Sequence, residues 1–369
     1  MIFWHKISVF DGGIMGYGNY PDLQGVENVL VIKLRHLGDV LLTTPCFSVL
    51  KKRLPHARID AYVYQEAAPM LEGHPAIHEI LTLDRAWKRL PLLKRLKREA
   101  GQLWKIRQRR YDLVLNLTEG DRGAMAARVS KAKIRAGVDS RGIYTHVAKM
   151  CPSLRHTIER QLDLLRRIGI FPEEEERELF WSIPEKEQER AMKLVPWERF
   201  ILIHPASRWR FKCWPEDKMR TLAEKLLERG ERLVFTSGPD AVERDMVARI
   251  ADGLDVCNLA GKLTLKELGA LIERAKALVC VDSAPLHMAS ALKRPVVALF
   301  GPTSDVTWGP WRNPRARIVA EPMSCRPCYQ DGCGGSKKSD CLARLSVEKV
   351  LLELKFLAEV EAARLRVVH

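Results

Sequence analysis

The sequence predicts an α/β protein of two domains, each built on a mainly parallel sheet. Three observations carry this reading. Short apolar runs of strand length alternate with helical stretches through most of the chain. The alternation stops over residues 171–198, where the acidic run Glu173 to Glu176, Pro184, a Glu-rich helix and Pro196 read as a domain boundary. A chain of 369 residues also exceeds one small core and suits two domains of ordinary size. The expected division is a loose leader over 1–28, a first domain over 29–185, a second over 186–345, and a C-terminal helix over 346–369.

In the first domain, Val29 to Leu34 (VLVIKL) is apolar except for Lys33, the pattern of a parallel strand covered on both faces. It passes through Arg35-His36-Leu37-Gly38-Asp39 into a helix from Val40 to Arg53. Further strands are predicted at Ile59 to Tyr64, Glu79 to Leu83, Tyr111 to Leu117 and Ile134 to Val138, with a helix from Ala124 to Ser130. The second domain restarts with a strand at Phe200 to His204. A helix (Lys218 to Glu228), a strand (Glu231 to Thr236) and two helices (Ala241 to Ile250, Leu265 to Ala275) follow. Then comes VCVDSAPLHMASALKRPVVALFGP, Val279 to Pro302: the end of a strand, a tight loop, a helix through Leu292, and a strand closing at Gly301-Pro302.

That last stretch carries chemistry. Asp282 and Ser283 suit a helix cap, and Pro285 falls in the first turn, where its missing N–H costs nothing. Such a loop sets free amides and a positive helix end at the carboxyl edge of a parallel sheet, which favours a phosphate. An ordinary βαβ crossover would look the same. His287, one turn in, sits where a bound diphosphate would lie. HPASRWRFKCWP, His204 to Pro215, reads either as a solvated basic loop or as a phosphate clamp, with Ser207 and loop amides holding oxygens and Lys212 supplying a point charge. Asp240, in FTSGPDAVE, is either a helix cap or a carboxylate for sugar hydroxyls. Gly38-Asp39 is either a turn and a cap or a carboxylate at a strand's carboxyl end, able to take a proton from an attacking alcohol. Neither GxGxxG nor GxxxxGK[ST] occurs, so neither a dinucleotide dehydrogenase nor a P-loop hydrolase gains support.

The net charge of +15 predicts polyanionic company: nucleic acid, an anionic membrane surface or a phosphorylated substrate. Arg85 to Arg110 holds eleven Lys or Arg and one acid, Glu99, with Trp87, Leu90, Leu93, Leu96, Leu103, Trp104 and Ile106 interleaved. It reads as a solvated face with a buried stripe, a membrane-surface helix, or a nucleic-acid contact. No apolar run reaches the ~18 residues of a transmembrane helix, and residues 1–28 lack the continuous apolar core of a signal peptide, so a cytoplasmic protein is expected. Of nine cysteines, Cys325, Cys328, Cys333 and Cys341 cluster with the spacing of a structural zinc or iron site; free thiols or a redox pair fit the spacing as well.

Four stretches, VIKLRHLGDVLLTTP (31–45), YDLVLNLTEGDRGAMAAR (111–128), HPASRWRFKCWP (204–215) and VDSAPLHMASALKRPVVALFGPTSDVTWGP (281–310), together resemble the bacterial ADP-heptose:lipopolysaccharide heptosyltransferases of glycosyltransferase family 9, the first two most like the heptosyltransferase III branch. The resemblance implies a GT-B fold, with the acceptor in the N-terminal Rossmann-like domain and the nucleotide-sugar in the C-terminal one. It implies inverting transfer without a catalytic metal. Asp39 matches the family's base and Lys212 its diphosphate lysine. Asp282, Ser283, Ala284 and His287 fall on its donor loop and helix, and Asp240 falls near its acidic ribose or sugar position. Arg35, His36 and Arg122 are the expected acceptor contacts. The implied partners are ADP-heptose, a lipid A-core acceptor and the anionic inner leaflet of the inner membrane, with no nucleic acid. A nucleic-acid-binding module and a transferase using another nucleotide-sugar are the alternatives.

Overall fold

The computed structural model describes residues 20–138, 142–148 and 154–367; most of the expected leader and Cys151 lie outside these. Strands β1 (Asn28–Lys33), β2 (Arg58–Tyr64), β3 (Glu79–Leu83), β4 (Leu113–Asn116), β5 (Ile134–Gly137) and β6 (His146–Val147) form one sheet in the order β3-β2-β1-β4-β5-β6. Strands β7 (Ile201–His204), β8 (Leu233–Phe235), β9 (Cys257–Asn258), β10 (Ala277–Val281), β11 (Val296–Phe300) and β12 (Ala316–Ala320) form a second in the order β12-β11-β10-β7-β8-β9. All pairings are parallel. Counted from its own first strand, each sheet runs 3-2-1-4-5-6, the doubly wound order whose crevice opens where the order reverses. The reversals fall between β1 and β4, with Val31 opposite Leu115, and between β7 and β10, with His204 opposite Cys280.

The covering helices are α1 (Leu37–Leu41), α2 (Thr44–Arg53), α3 (Leu92–Gln108), α4 (Asp121–Ser130), α5 (Thr157–Arg167), α6 (Glu185–Leu194), α7 (Glu216–Glu228), α8 (Ala241–Ala251), α9 (Leu265–Arg274), α10 (Ala284–Ala291), α11 (Asp305–Trp308), α12 (Asp340–Arg344) and α13 (Val347–Val367). Strand β1 is buried on both faces, as its apolar run requires, and so is β10. One apolar cluster crosses from sheet to sheet, joining Leu41, Trp181, Leu268 and Leu286.

Four differences from the sequence reading have local causes. The helix expected from Val40 to Arg53 is two, because Pro45 cannot extend the first. The Thr43 and Thr44 hydroxyls donate instead to the carbonyls of Val40 and Leu41, at 2.6 and 2.9 Å. Strands β6 and β9 span two residues each, too short for a periodic signal. Strand β12 is half-exposed at the sheet edge, and Arg317 breaks its short apolar run. In the basic tract a 3₁₀ turn, Arg85–Arg89, precedes α3, whose buried residues are Gln102 and Ile106 rather than a leucine stripe. Among the described residues no helix is long and apolar enough to cross a membrane.

The connection between the sheets is tied to both sides. The Phe180 amide donates to Thr44 Oγ1 (3.0 Å), and the Lys266 ammonium on α9 donates to the carbonyls of Glu72 and Ser182 (3.0 and 2.7 Å). Trp311 Nε1 donates to the Arg177 carbonyl at 2.6 Å. These contacts hold the two crevices edge to edge.

Candidate active site

The two crevices confront each other through α1 and α10. Gly38, in the first turn of α1, lies against the His287 ring. A Cβ placed on Gly38 would stand 2.7 Å from His287 Cδ2, 3.3 Å from Nε2 and 3.7 Å from the Ala284 Cα. A larger residue there would have to displace the His287 ring. Asp39, next along, is half-buried, and no described residue binds its carboxylate by a hydrogen bond or ion pair. Behind it Lys33 donates to the Leu117 carbonyl (3.0 Å), bridging β1 to the chain leaving β4. Burial lowers the Lys33 pKa, and the Asp39 charge opposes that shift. A buried cation thus sits under an unengaged carboxylate.

Across the cleft, Ser283 occupies the cap position of α10, but its hydroxyl donates back to the Val281 carbonyl (3.1 Å) and makes no cap bond. The Ala284 amide therefore opens the helix uncapped, as an anion site requires. His287 is buried, its Nδ1 has no partner among the described residues, and burial lowers its pKa against the opposing charges of Asp282 and Asp39.

Asp282 does not cap the helix. Its Oδ2 accepts from Lys212 Nζ (2.7 Å) and from Thr303 Oγ1 (2.7 Å). The carboxylate side chain is 5% exposed and the lysine 18%. Lys212 is thereby fixed at the cleft wall by a carboxylate that is itself fixed by a third loop. Ser207 Oγ accepts from the Trp209 amide (3.3 Å), which leaves its own O–H to donate. Trp209 is 42% exposed and meets His36 edge-on at 6.2 Å, while Arg208 reaches His36 Nδ1 at 3.4 Å. His36 and the Arg208-Trp209 pair thus span the cleft from opposite sides.

The other expected site residues are engaged by neighbouring groups. Arg35 is exposed, 3.8 Å from Glu119 across the β1 and β4 loops. Arg122 is bound to Glu99 of α3 at 3.1 Å, which ties α4 to α3. Asp240 is exposed and caps α8, accepting from the Val242 amide at 2.9 Å. The carboxylate turned into that loop is Glu243, which accepts from the Gly238 amide (2.9 Å). Burial raises the Glu243 pKa, while the Gly238 amide and, more weakly, the Arg208 charge counter the rise. Sequence reading passed over Glu243; its place one helical turn after the cap was the available signal. Thr303 and Lys33 were passed over too, the one inside a longer motif and the other as a lone polar residue in a strand.

The four cysteines do not assemble into a metal site: among the described residues no group of three or more His, Cys, Asp or Glu is arranged to hold an ion. Cys325 and Cys333 are exposed, Cys328 is partly covered and Cys341 is buried. The Cys328 amide is fixed to the Pro302 carbonyl (3.1 Å), and Cys333 Sγ accepts from the Asp340 amide (3.4 Å). Gly332, Gly334 and Gly335 take left-handed backbone conformations in the loop that carries them.

Comparison with known proteins agrees with this arrangement. The model of glycosyltransferase family 9 (heptosyltransferase) matches residues 101–338. Lipopolysaccharide heptosyltransferase 3 of Escherichia coli K12 is 34% identical over 291 residues, covering 75% of this chain and 83% of the relative. A family 9 glycosyltransferase from Veillonella parvula superposes with a TM-score of 0.78 at 24% identity, over 92% of this chain and 99% of that one. The ADP-heptose lipopolysaccharide heptosyltransferase II of E. coli superposes at 0.74 and 23%, over 91% and 99%. These two likenesses establish the GT-B fold. The order of the strands, the paired crevices and the family match lead to one assignment: the chain belongs to glycosyltransferase family 9, the heptosyltransferases.

Proposed function

We propose that this protein is an inverting glycosyltransferase that moves heptose from ADP-heptose to a heptose hydroxyl of the lipopolysaccharide inner core. The observation that carries the reading is the confrontation of an unengaged carboxylate, Asp39, with the uncapped amino end of α10, His287 and Lys212. Asp39 accepts the proton of the acceptor hydroxyl. The acceptor oxygen bonds to the anomeric carbon from the face opposite ADP. The bond from that carbon to the diphosphate oxygen breaks, and its electron pair leaves with ADP. Lys212, the Ala284 amide, His287 and the Ser207 hydroxyl stabilise the charge that develops on the diphosphate. Asp282 positions Lys212, and Glu243 takes the hydroxyl role that the sequence suggested for Asp240. His36 and Arg35 meet the acceptor. No step runs through a metal at the cysteine cluster. The 34% identity to a lipopolysaccharide heptosyltransferase 3 supports the heptosyltransferase III branch for this chain. The lipid A-core acceptor places the enzyme at the cytoplasmic face of the inner membrane, bound peripherally. The family match leaves the nucleic-acid alternative without support.

The test is Asp39→Asn, assayed with ADP-heptose and a core acceptor. Transfer should fall by ~10²–10⁴ while ADP still binds. Near-normal turnover would remove Asp39 from the role of base.

A further inference from the structure

Helix α3 has a second apolar side that no described residue covers. Leu92, Leu93, Leu96 and Trp104 are 67%, 83%, 50% and 62% exposed, and Ala100 is exposed with them. At about 100° per residue, these five fall within one arc of roughly 120° along the helix. The residues that face the sheet, Gln102 and Ile106, lie outside that arc. Isolated exposed leucines need no explanation, but a contiguous stripe of this kind marks an interaction surface.

The charges around it say what it meets. Lys94, Lys97, Arg98, Lys105 and Arg107 stand on the exposed sides of α3, and Lys88 and Arg89 precede it. The tract's single acid, Glu99, is held by Arg95 and Arg122 at 3.1 Å each, so it faces inward. An apolar stripe closed at its carboxyl end by Arg107, with further cations on the other exposed sides and no outward carboxylate, suits a helix lying flat in the headgroup layer of an anionic bilayer. It does not suit nucleic acid, which would leave the leucines in water.

Topology adds a consequence. Helix α3 follows β3 and returns to β4, so its amino end lies at the carboxyl edge of the sheet, on the side of Asp39. The preceding turn confirms this placement: Arg85 lies over the Tyr64 ring at 3.9 Å, and its charge helps lower the His36 pKa, second to burial.

We infer that Leu92, Leu93, Leu96 and Trp104 insert into an anionic bilayer surface and bring the mouth of the acceptor crevice to the plane of the lipid. The inference deepens the heptosyltransferase reading, but its first test does not depend on it. The full chain is sedimented with phosphatidylglycerol–phosphatidylethanolamine vesicles and, separately, with phosphatidylcholine vesicles. Binding is expected to the anionic vesicles only, weakening as salt rises. The Leu92→Ser/Leu93→Ser/Leu96→Ser variant should lose roughly tenfold in partition for each leucine replaced. The single variant Leu93→Asp, at the most exposed position, guards against misfolding of the triple one, and thermal melting checks both. With a deacylated, soluble core acceptor the variants should turn over like the parent; with vesicle-embedded acceptor they should be slower. Unchanged vesicle binding by the variants overturns the inference, as does equal binding to phosphatidylcholine. So does displacement from vesicles by an oligonucleotide that binds the variants as well as the parent. Absence of heptose transfer to any acceptor, with leucine-dependent vesicle binding intact, would count against the proposed activity alone.

Discussion

Gly38→Ala separates two readings of the glycine before the candidate base. If Gly38 only lets the chain turn, alanine should be harmless or better. Its φ is not in the left-handed region, it lies within α1, and alanine is favoured over glycine in a helix by about 1 kcal/mol. If Gly38 exists for the approach of α10, the outcome is opposite for catalysis. The new Cβ would lie 2.7 Å from His287 Cδ2, against ordinary carbon contacts of about 3.5–4 Å. The His287 ring must therefore shift by roughly 1 Å, and a displacement of that size at a reacting centre costs about 10²-fold in rate, or about 2.7 kcal/mol. The expected result is a hundredfold lower kcat with an unchanged or higher melting temperature. In a His287→Ala background the methyl finds room, so adding Gly38→Ala should cost little further, and the cycle should return a coupling of about that energy. A kcat within threefold of the parent would refute the reasoning. So would an equal loss in both backgrounds, or a collapse in melting temperature.

Thr303→Val removes one of the two hydrogen bonds that hold Asp282. A bond to a charged acceptor is worth about 1.5–3 kcal/mol, so the efficiency with donor should fall roughly tenfold to a hundredfold, mostly in KM, with Thr303→Ser restoring it. An unchanged donor KM would mean that Lys212 needs no such support. Asp240→Ala should cost about 1 kcal/mol of stability as a lost cap and leave the donor KM alone, whereas Glu243→Gln should raise it; the reverse pattern would return the sugar-binding role to Asp240. Burial lowers the pKa of each of His74, His156 and His204 to about 4, below the ~6.5 of an unfolded histidine. Between those values the unfolded chain holds protons that the folded one does not. The stability these neutral histidines contribute is thus complete above pH ~6.5 and lost as pH falls toward 4, at up to about 1.4 kcal/mol per pH unit for each histidine. Denaturant unfolding measured from pH 7 to 4.5 should show this slope, and His204→Gln should reduce it by about one proton; a flat profile would contradict the burial argument.

Much of this protein was legible in its sequence, because the signals are local. Apolar runs such as Val29 to Leu34 mark strands covered on both faces, whatever lies around them. The turns that follow β1, β7 and β10 are written in Gly38-Asp39, in His204 to Pro215 and in Asp282-Ser283, since a chain leaving a strand for a helix needs caps and small residues there. The parallel α/β class followed from the alternation of strands and helices; the order of the strands did not.

The rest depended on neighbours that periodicity does not see. Asp282 was expected to cap α10, but its partners come from loops 70 and 21 residues away, and they draw the carboxylate off the helix end to hold Lys212. Asp240 and Glu243 are equally acidic in sequence; only the fold of the β8–α8 loop turns one to water and the other to the Gly238 amide. Cysteine spacing suggested a metal, but spacing says nothing of how thiols are oriented, and among the described residues the fold arranges no group of three or more His, Cys, Asp or Glu to hold an ion. The leucines of α3 fitted a buried stripe as well as a membrane-surface face, since a helical repeat records which residues share a face and not whether anything covers it. Sequence by itself determined the two parallel α/β sheets and the residue types of the loops that end β1, β7 and β10. Tertiary structure alone decided which charges those loops direct at one another and which apolar face stays bare, because both are set by contacts between segments far apart in the chain.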